Sequence, residues 1–215
     1  MGVNMAGLAI SDDEACREAG NNEIVRRYFQ TAEEIKRTGV GEEALKKIEL
    51  LMNQANITQN LSPARSWRAC GGEEGAGAPA GAMVLPDGRV VTGKTGNLLG
   101  AASALLMNAL KGVSGVDDEL YVISDDVLEP ICHLKTEHLK SHNPRLHSDE
   151  TLLALSISSV HNPLAAELID NADKLRGCDA YFSVIISAAD EKLYKTLGIN
   201  VCCEPKYEQH RFYHK

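Results

Sequence analysis

Positive charge is what this chain has too little of. Twenty-two lysines and arginines face 30 aspartates and glutamates, a net charge of −8, and they gather into no basic run. Nucleic acid and anionic membrane surfaces recruit proteins through clustered Lys and Arg, so neither is expected as a partner. Long apolar runs are missing too. The longest candidate, Leu98 to Leu110, is interrupted by Ser103 and Asn108 and falls short of the roughly 20 residues a membrane helix needs. Paired cysteine motifs are also absent. Cys16, Cys70, Cys132, Cys178, Cys202 and Cys203 include no CxxC and match no zinc or iron–sulfur spacing, so no metal is expected. Adjacent Cys202 and Cys203 point to opposite faces of a strand and cannot easily share an ion. The start, MGVNMAGLAISDDEA, has no basic segment followed by an apolar one, and Ala6 stands where a myristoylation signal has Ser or Thr. A cytoplasmic protein with reduced thiols is expected. None of these absences excludes a small anion, which backbone dipoles can bind inside an acidic protein.

The 215 residues, 44% of them hydrophobic, suffice for one ordinary domain or two small ones. Residues 1–60 read as helical. Ser11 with Glu14 suggests a capping box that starts a helix at Asp12. Ile24, Val25, Tyr28, Phe29, Ala32 and Ile35 recur at helical spacing, and Gly39 is a natural stop. A second helix is expected from Glu42 to Ala55, with Leu45, Ile48, Leu51 and Met52 on its apolar face. Residues 61–82 have a Gly/Ala/Glu/Pro composition that suggests a flexible linker. From 83 to 215 strands and helices alternate: a hairpin around Pro86-Asp87-Gly88, a nearly all-apolar helix from Asn97 to Leu110, and a strand at Leu120–Ile123. There follow a helix from Asp125 to Leu139 containing Pro130, one from Asp149 capped by Ser148, and one capped by Asn162 with Pro163 at its first position. The chain closes with a strand at Tyr181–Ile186, a helix at Asp190–Leu197 and a strand at Ile199–Cys203. The expected class is α/β or α+β: a mixed sheet with a buried central helix, preceded by a helical pair.

Several segments in order, among them LPDGRVVTGKT, LLGAASALLMNALK, NPRLHSDETLLALSIS, KLRGCDAYFSVIIS and LGINVCCEPKYE, resemble the C-terminal part of uncharacterised protein family 0371 (domain of unknown function 1846). The resemblance implies a shortened member of a bacterial family, lacking the N-terminal α/β half, whose partner is that half or a second copy of itself. It implies no particular reaction or cofactor.

Two places carry candidate chemistry. Gly88 to Thr95 satisfies the G-x-x-x-x-G-K-[ST] pattern of a phosphate loop, although Val90-Val91 suit a strand better. Apart from that motif, Gly93, Lys94, Thr95, Gly96 and Asn97 precede a helix, whose N-terminus with a nearby Lys attracts phosphate or carboxylate. On the alternative reading Gly93 and Gly96 merely shape the turn, Gly96 with a positive φ, while Asn97 caps the helix and Lys94 is solvated. The second place is His142, Asn143, Arg145, His147, Ser148 and Asp149, where Arg145 suits an anion and His147 acid–base work. Its alternative is an exposed polar loop with a helix cap. Ser158 and His161 are close enough to touch on a helix but lack an orienting third group. Two functions stay open: a domain that binds a small phosphorylated or carboxylated ligand, and a non-catalytic packing or assembly domain.

Overall fold

The computed structural model describes residues 12–58 and 78–208. The chain forms two compact units, Met1–Arg65 and Ser66–Lys215. In the first, α1 (Asp13–Thr38) packs against α2 (Glu42–Gln54). Asp12 caps α1, its carboxylate accepting from the amides of Glu14 and Ala15; the expected cap, Ser11, lies outside the described residues. Gly39 ends α1 with φ +75°, a left-handed conformation that favours glycine. Val25, Phe29 and Met52 are buried, whereas Leu51 is half exposed rather than part of the apolar face.

The second unit is built on a four-stranded mixed sheet. Its order is β2-β1-β3-β4, from β1 (Ala80–Val84), β2 (Val90–Lys94), β3 (Asp179–Phe182) and β4 (Asn200–Cys203). The β1–β2 and β1–β3 pairs are antiparallel and β3–β4 is parallel. β1 begins at Ala80, three residues before the expected Met83, so the end of the supposed linker is strand. The Pro86-Asp87-Gly88 turn forms as expected, with Gly88 at φ +82°. Helix α3 (Ala101–Ser114) lies between β1–β2 and the helices α5 (Ser148–Ser158) and α6 (Pro163–Asp170), and is buried along most of its length. Two glycines let it approach. Gly93 pairs with Gly81 across the hairpin. A Cβ on Gly93 would stand 2.2 Å from the amide nitrogen of Leu105 in α3. The Gly88–Thr95 stretch is therefore a hairpin strand whose glycine seats a helix, not a loop wrapped around phosphate.

Other elements depart from expectation. α3 starts at Ala101, not Asn97, because Leu98–Gly100 is drawn into pairing with Leu146: the Leu146 amide donates to the Leu98 carbonyl at 2.8 Å. Leu120–Ile123 is irregular; Val122 and Ile123 are buried, and the Val122 carbonyl accepts from the Asn162 side chain. The helix around Pro130 splits into α4 (Asp125–His133) and a π-helical turn, Leu134–His138. α5 is capped by His147 and begins at Ser148, one residue earlier than expected. Asn162 caps α6 as expected, accepting from the Leu164 amide. β3 covers only Asp179–Phe182, and α7 runs Ala188–Thr196. Both Cys202 and Cys203 are buried.

Candidate functional site

Pairing of Leu99 with Leu146 has a consequence for chemistry: it carries Arg145 and His147 to the N-terminus of α3. Ser103 of α3 secures the junction by donating its hydroxyl to the Leu146 carbonyl at 2.7 Å. Arg145 donates Nε to the Gly96 carbonyl at 2.9 Å. From the π turn, buried Lys135 donates to the Arg145 carbonyl and to Glu150, each at 2.6 Å. Glu150 in turn accepts from the His147 amide at 2.7 Å, fixing the first turn of α5.

α7 arrives from the far side. Ser187, its cap, accepts from the Asp190 amide. Asp190 then faces the start of α5. One carboxylate oxygen accepts from the Ser148 amide and hydroxyl, both at 2.7 Å. The other accepts from the Ser187 hydroxyl at 2.7 Å and meets His147 Nδ1 at 3.0 Å. Burial alone would raise the Asp190 pKa, but these donors outweigh it and hold the carboxyl at about 2. The hydrogen bond to Asp190 raises the His147 pKa, partly opposed by the ring's own desolvation.

The N-termini of α3, α5 and α7 thus meet at one cleft of about 70 Å³, lined by Thr95, Ala101, Ala102, Arg145, His147 and Asp190 among others. That volume suits a carboxylate or phosphate group but not a whole drug-sized molecule. Asp190 answers the positive ends of α5 and α7. α3 has neither a capping side chain nor an acidic residue in its first turn. Ala101 and Ala102 are buried residues, and their amides find no acceptor among the described residues. Glu208 also lines the cleft; its buried Oε1 lies 3.5 Å from Arg145 Nη1 and has no hydrogen-bond partner among the described residues.

The residues singled out from sequence divide. Thr95, Arg145 and His147 come together here. Lys94, Gly96 and Asn97 line a separate, mostly apolar cleft of about 520 Å³ with Leu99, Met107 and Tyr121. Gly93 reaches neither, being buried beneath α3. Asn97 does not cap α3, whose cap is Gly100. Gly96 is not among the positive-φ glycines, and its amide is used by the Leu99 carbonyl. The Ser158 hydroxyl returns to the Ala154 carbonyl, so no Ser158–His161 pair forms. Sequence reasoning missed Ala101, Ala102, Ser187, Asp190 and Glu208. For Ser187 and Asp190 a signal existed, the three-residue spacing of a helix cap.

Fold and site define an α/β unit with a small cleft of mixed polar and apolar lining at convergent helix N-termini, preceded in the chain by a helical unit. The model described as "Domain of unknown function DUF1846, C-terminal" matches residues 61–213, and "Domain of unknown function DUF1846, N-terminal" matches residues 1–56. The chain belongs to this family. It is 45% identical over 217 residues to a UPF0371 protein of Corynebacterium efficiens, covering 100% of this chain and 43% of that protein. A UPF0371 protein of Streptococcus pneumoniae (strain Hungary19A-6) is 45% identical over 218 residues with the same coverage. The chain therefore spans less than half the length of these relatives. No helix among the described residues is long and apolar enough to cross a membrane.

Proposed function

We propose that the second unit binds the phosphate or carboxylate group of a small metabolite in the cleft between α3, α5 and α7. One observation carries the reading: the first-turn amides of buried Ala101 and Ala102 have no acceptor among the described residues. The first-turn N–H groups of a helix have no intrahelical acceptor and are met by caps, water or ligands, and here the positive end of a 14-residue helix adds its field. Arg145 and His147 at the same cleft supply side-chain donors. Glu208 competes for Arg145, so a bound anion would displace or share that contact.

Calorimetric titration of inorganic phosphate and acetate into the full chain tests this. Ala101→Pro removes one amide at a helix position that tolerates proline, and Gly100 already has the extended backbone (φ −71°, ψ 166°) that proline favours before it. Losing one hydrogen bond to a charged group costs about 1.5–3 kcal/mol, so affinity should fall roughly 10- to 150-fold. Lys94→Ala, on the other cleft, should leave phosphate binding unchanged, and magnesium should not promote ATP binding. Wild-type-like affinity in Ala101→Pro would refute the reading.

The assembly reading keeps one observation of its own. Tyr121 is 92% exposed beside the wide apolar cleft, the kind of surface that a partner covers. Sedimentation at high concentration tests it, and Tyr121→Ser should weaken any self-association.

A further inference from the structure

We propose that the cleft takes up its anion together with a proton: His147 enters the complex as an imidazolium, its Nδ1–H resting on Asp190 and its Nε2–H turned to the ligand. The inference rests on the anion reading above and makes the proton a co-ligand of the same site.

Geometry carries it. An ionised carboxylate only accepts, so at 3.0 Å from Asp190 the Nδ1 atom must be the donor. Ser148 and Ser187 direct their own donors onto the same carboxylate and keep it ionised. A neutral His147 is thereby held as the Nδ1–H tautomer, with a lone pair at Nε2. The ring is about one-third exposed and lines the cleft. A lone pair facing an anionic oxygen repels it. One added proton turns that atom into a charged donor in the cleft that Ala101 and Ala102 also line.

The charges facing the ring come from every neighbouring element. Asp190 belongs to α7, Glu150 and the exposed Asp149 to its own helix, Lys135 to the π turn, Arg145 to the preceding loop and Glu208 to the C-terminal segment. Glu150 is answered by Lys135, and Glu208 by Arg145. Asp190 is the carboxylate hydrogen-bonded to the ring, and it raises the pKa of the free protein's His147, so coupled uptake is read above that value, where the free ring is neutral.

The test titrates sodium sulfate into the full chain by calorimetry, from pH 5.5 to 9 in steps of about one unit, in pairs of buffers with different ionisation enthalpies. Sulfate stays doubly ionised throughout, so any proton taken up goes to the protein. We expect uptake approaching one proton per sulfate above the His147 pKa, with affinity falling about tenfold per pH unit there. His147→Gln should bind sulfate with no such uptake and a flat profile. Sulfate binding without proton uptake in the wild type would overturn the proposal and leave the anion reading intact. Absence of sulfate binding at every pH would overturn both. Nitrogen-15 spectra of the histidine ring give an independent arm: an Nε2–H tautomer in the neutral ring would overturn the proposal even where sulfate binds.

Discussion

Replacing Gly93 by alanine tests what that glycine is for. The added Cβ would lie 2.2 Å from Leu105 N, 2.5 Å from Leu105 Cα and 2.7 Å from the Ala104 carbonyl carbon, where real Cβ contacts essentially never fall below 3.0 Å. All three are backbone atoms of a buried helix, so no side-chain rotation relieves the clash. α3 would have to withdraw from β2 by on the order of 1 Å to regain ordinary contact distances. Overpacking costs about 1–3 kcal/mol when side chains can give way, so about 3 kcal/mol or more is expected here. For a chain of this size that lowers Tm by about 6–12 °C, read by calorimetry or by urea unfolding under circular dichroism. Gly96→Ala is the control. Nothing lies within 4 Å of its would-be Cβ and its φ is not positive, so stability should change by no more than about 0.5 kcal/mol. A Gly93→Ala protein melting within about 1 °C of wild type would refute the seating argument. A phosphate-loop role would instead predict lost nucleotide binding at unchanged stability.

Two further outcomes follow from the same structure. Asp190→Asn removes the charge that holds Ser148, Ser187 and His147 and should cost about 2 kcal/mol in urea unfolding at neutral pH, the size of the Asp190 pKa depression. In the wild type the depressed Asp190 contributes stability above its ordinary pKa of 3.8 that is lost as pH falls toward about 2, a limb the variant should lack. The raised His147 has the opposite sign: its contribution is complete below 6.5 and disappears as pH rises through its folded value, which His147→Gln should abolish. Amide exchange should open α1 and α2, which bury few large apolar side chains, before α3; equal protection in all three helices would contradict that ordering.

Much of the architecture could be read locally because the deciding interactions are local. α1 stops where Gly39 supplies a left-handed residue, the hairpin turns at Pro86-Asp87-Gly88, and Asn162-Pro163 opens α6, each settled within four residues. The α3 boundary was not local. Asn97 looked like a cap, but Leu98–Gly100 pairs with Leu146, some 47 residues away, and no periodicity announces such a contact. Leu120–Ile123 has a strand's composition, yet its buried Val122 spends its carbonyl on the Asn162 side chain rather than on a ladder. Propensity describes a pleated surface; it does not supply the neighbouring strand.

The same distinction separates the two halves of the candidate site. Arg145 and His147 stood out in sequence because a guanidinium and an imidazole are recognisable as candidate anion and acid–base groups wherever the backbone goes. Backbone donors carry no such mark. An amide becomes available to a ligand only when the fold denies it every other acceptor, and that is decided by pairing, not by residue type. Gly93–Asn97 drew attention as glycine-rich and basic, but the Gly96 and Thr95 amides are consumed by the Leu99 and Pro79 carbonyls. Ala101 and Ala102, two of the least conspicuous residues in the chain, keep theirs because the pairing of the preceding segment delays the helix by four residues. Asp190, 43 residues from His147, reaches the ring's Nδ1 at 3.0 Å from a third helix. The literal motif therefore lies beside the cleft for a reason unrelated to phosphate: Lys94 and Gly93 belong to the strand that seats α3, and the seated helix lines the cleft with Arg145 and His147 through its first turn.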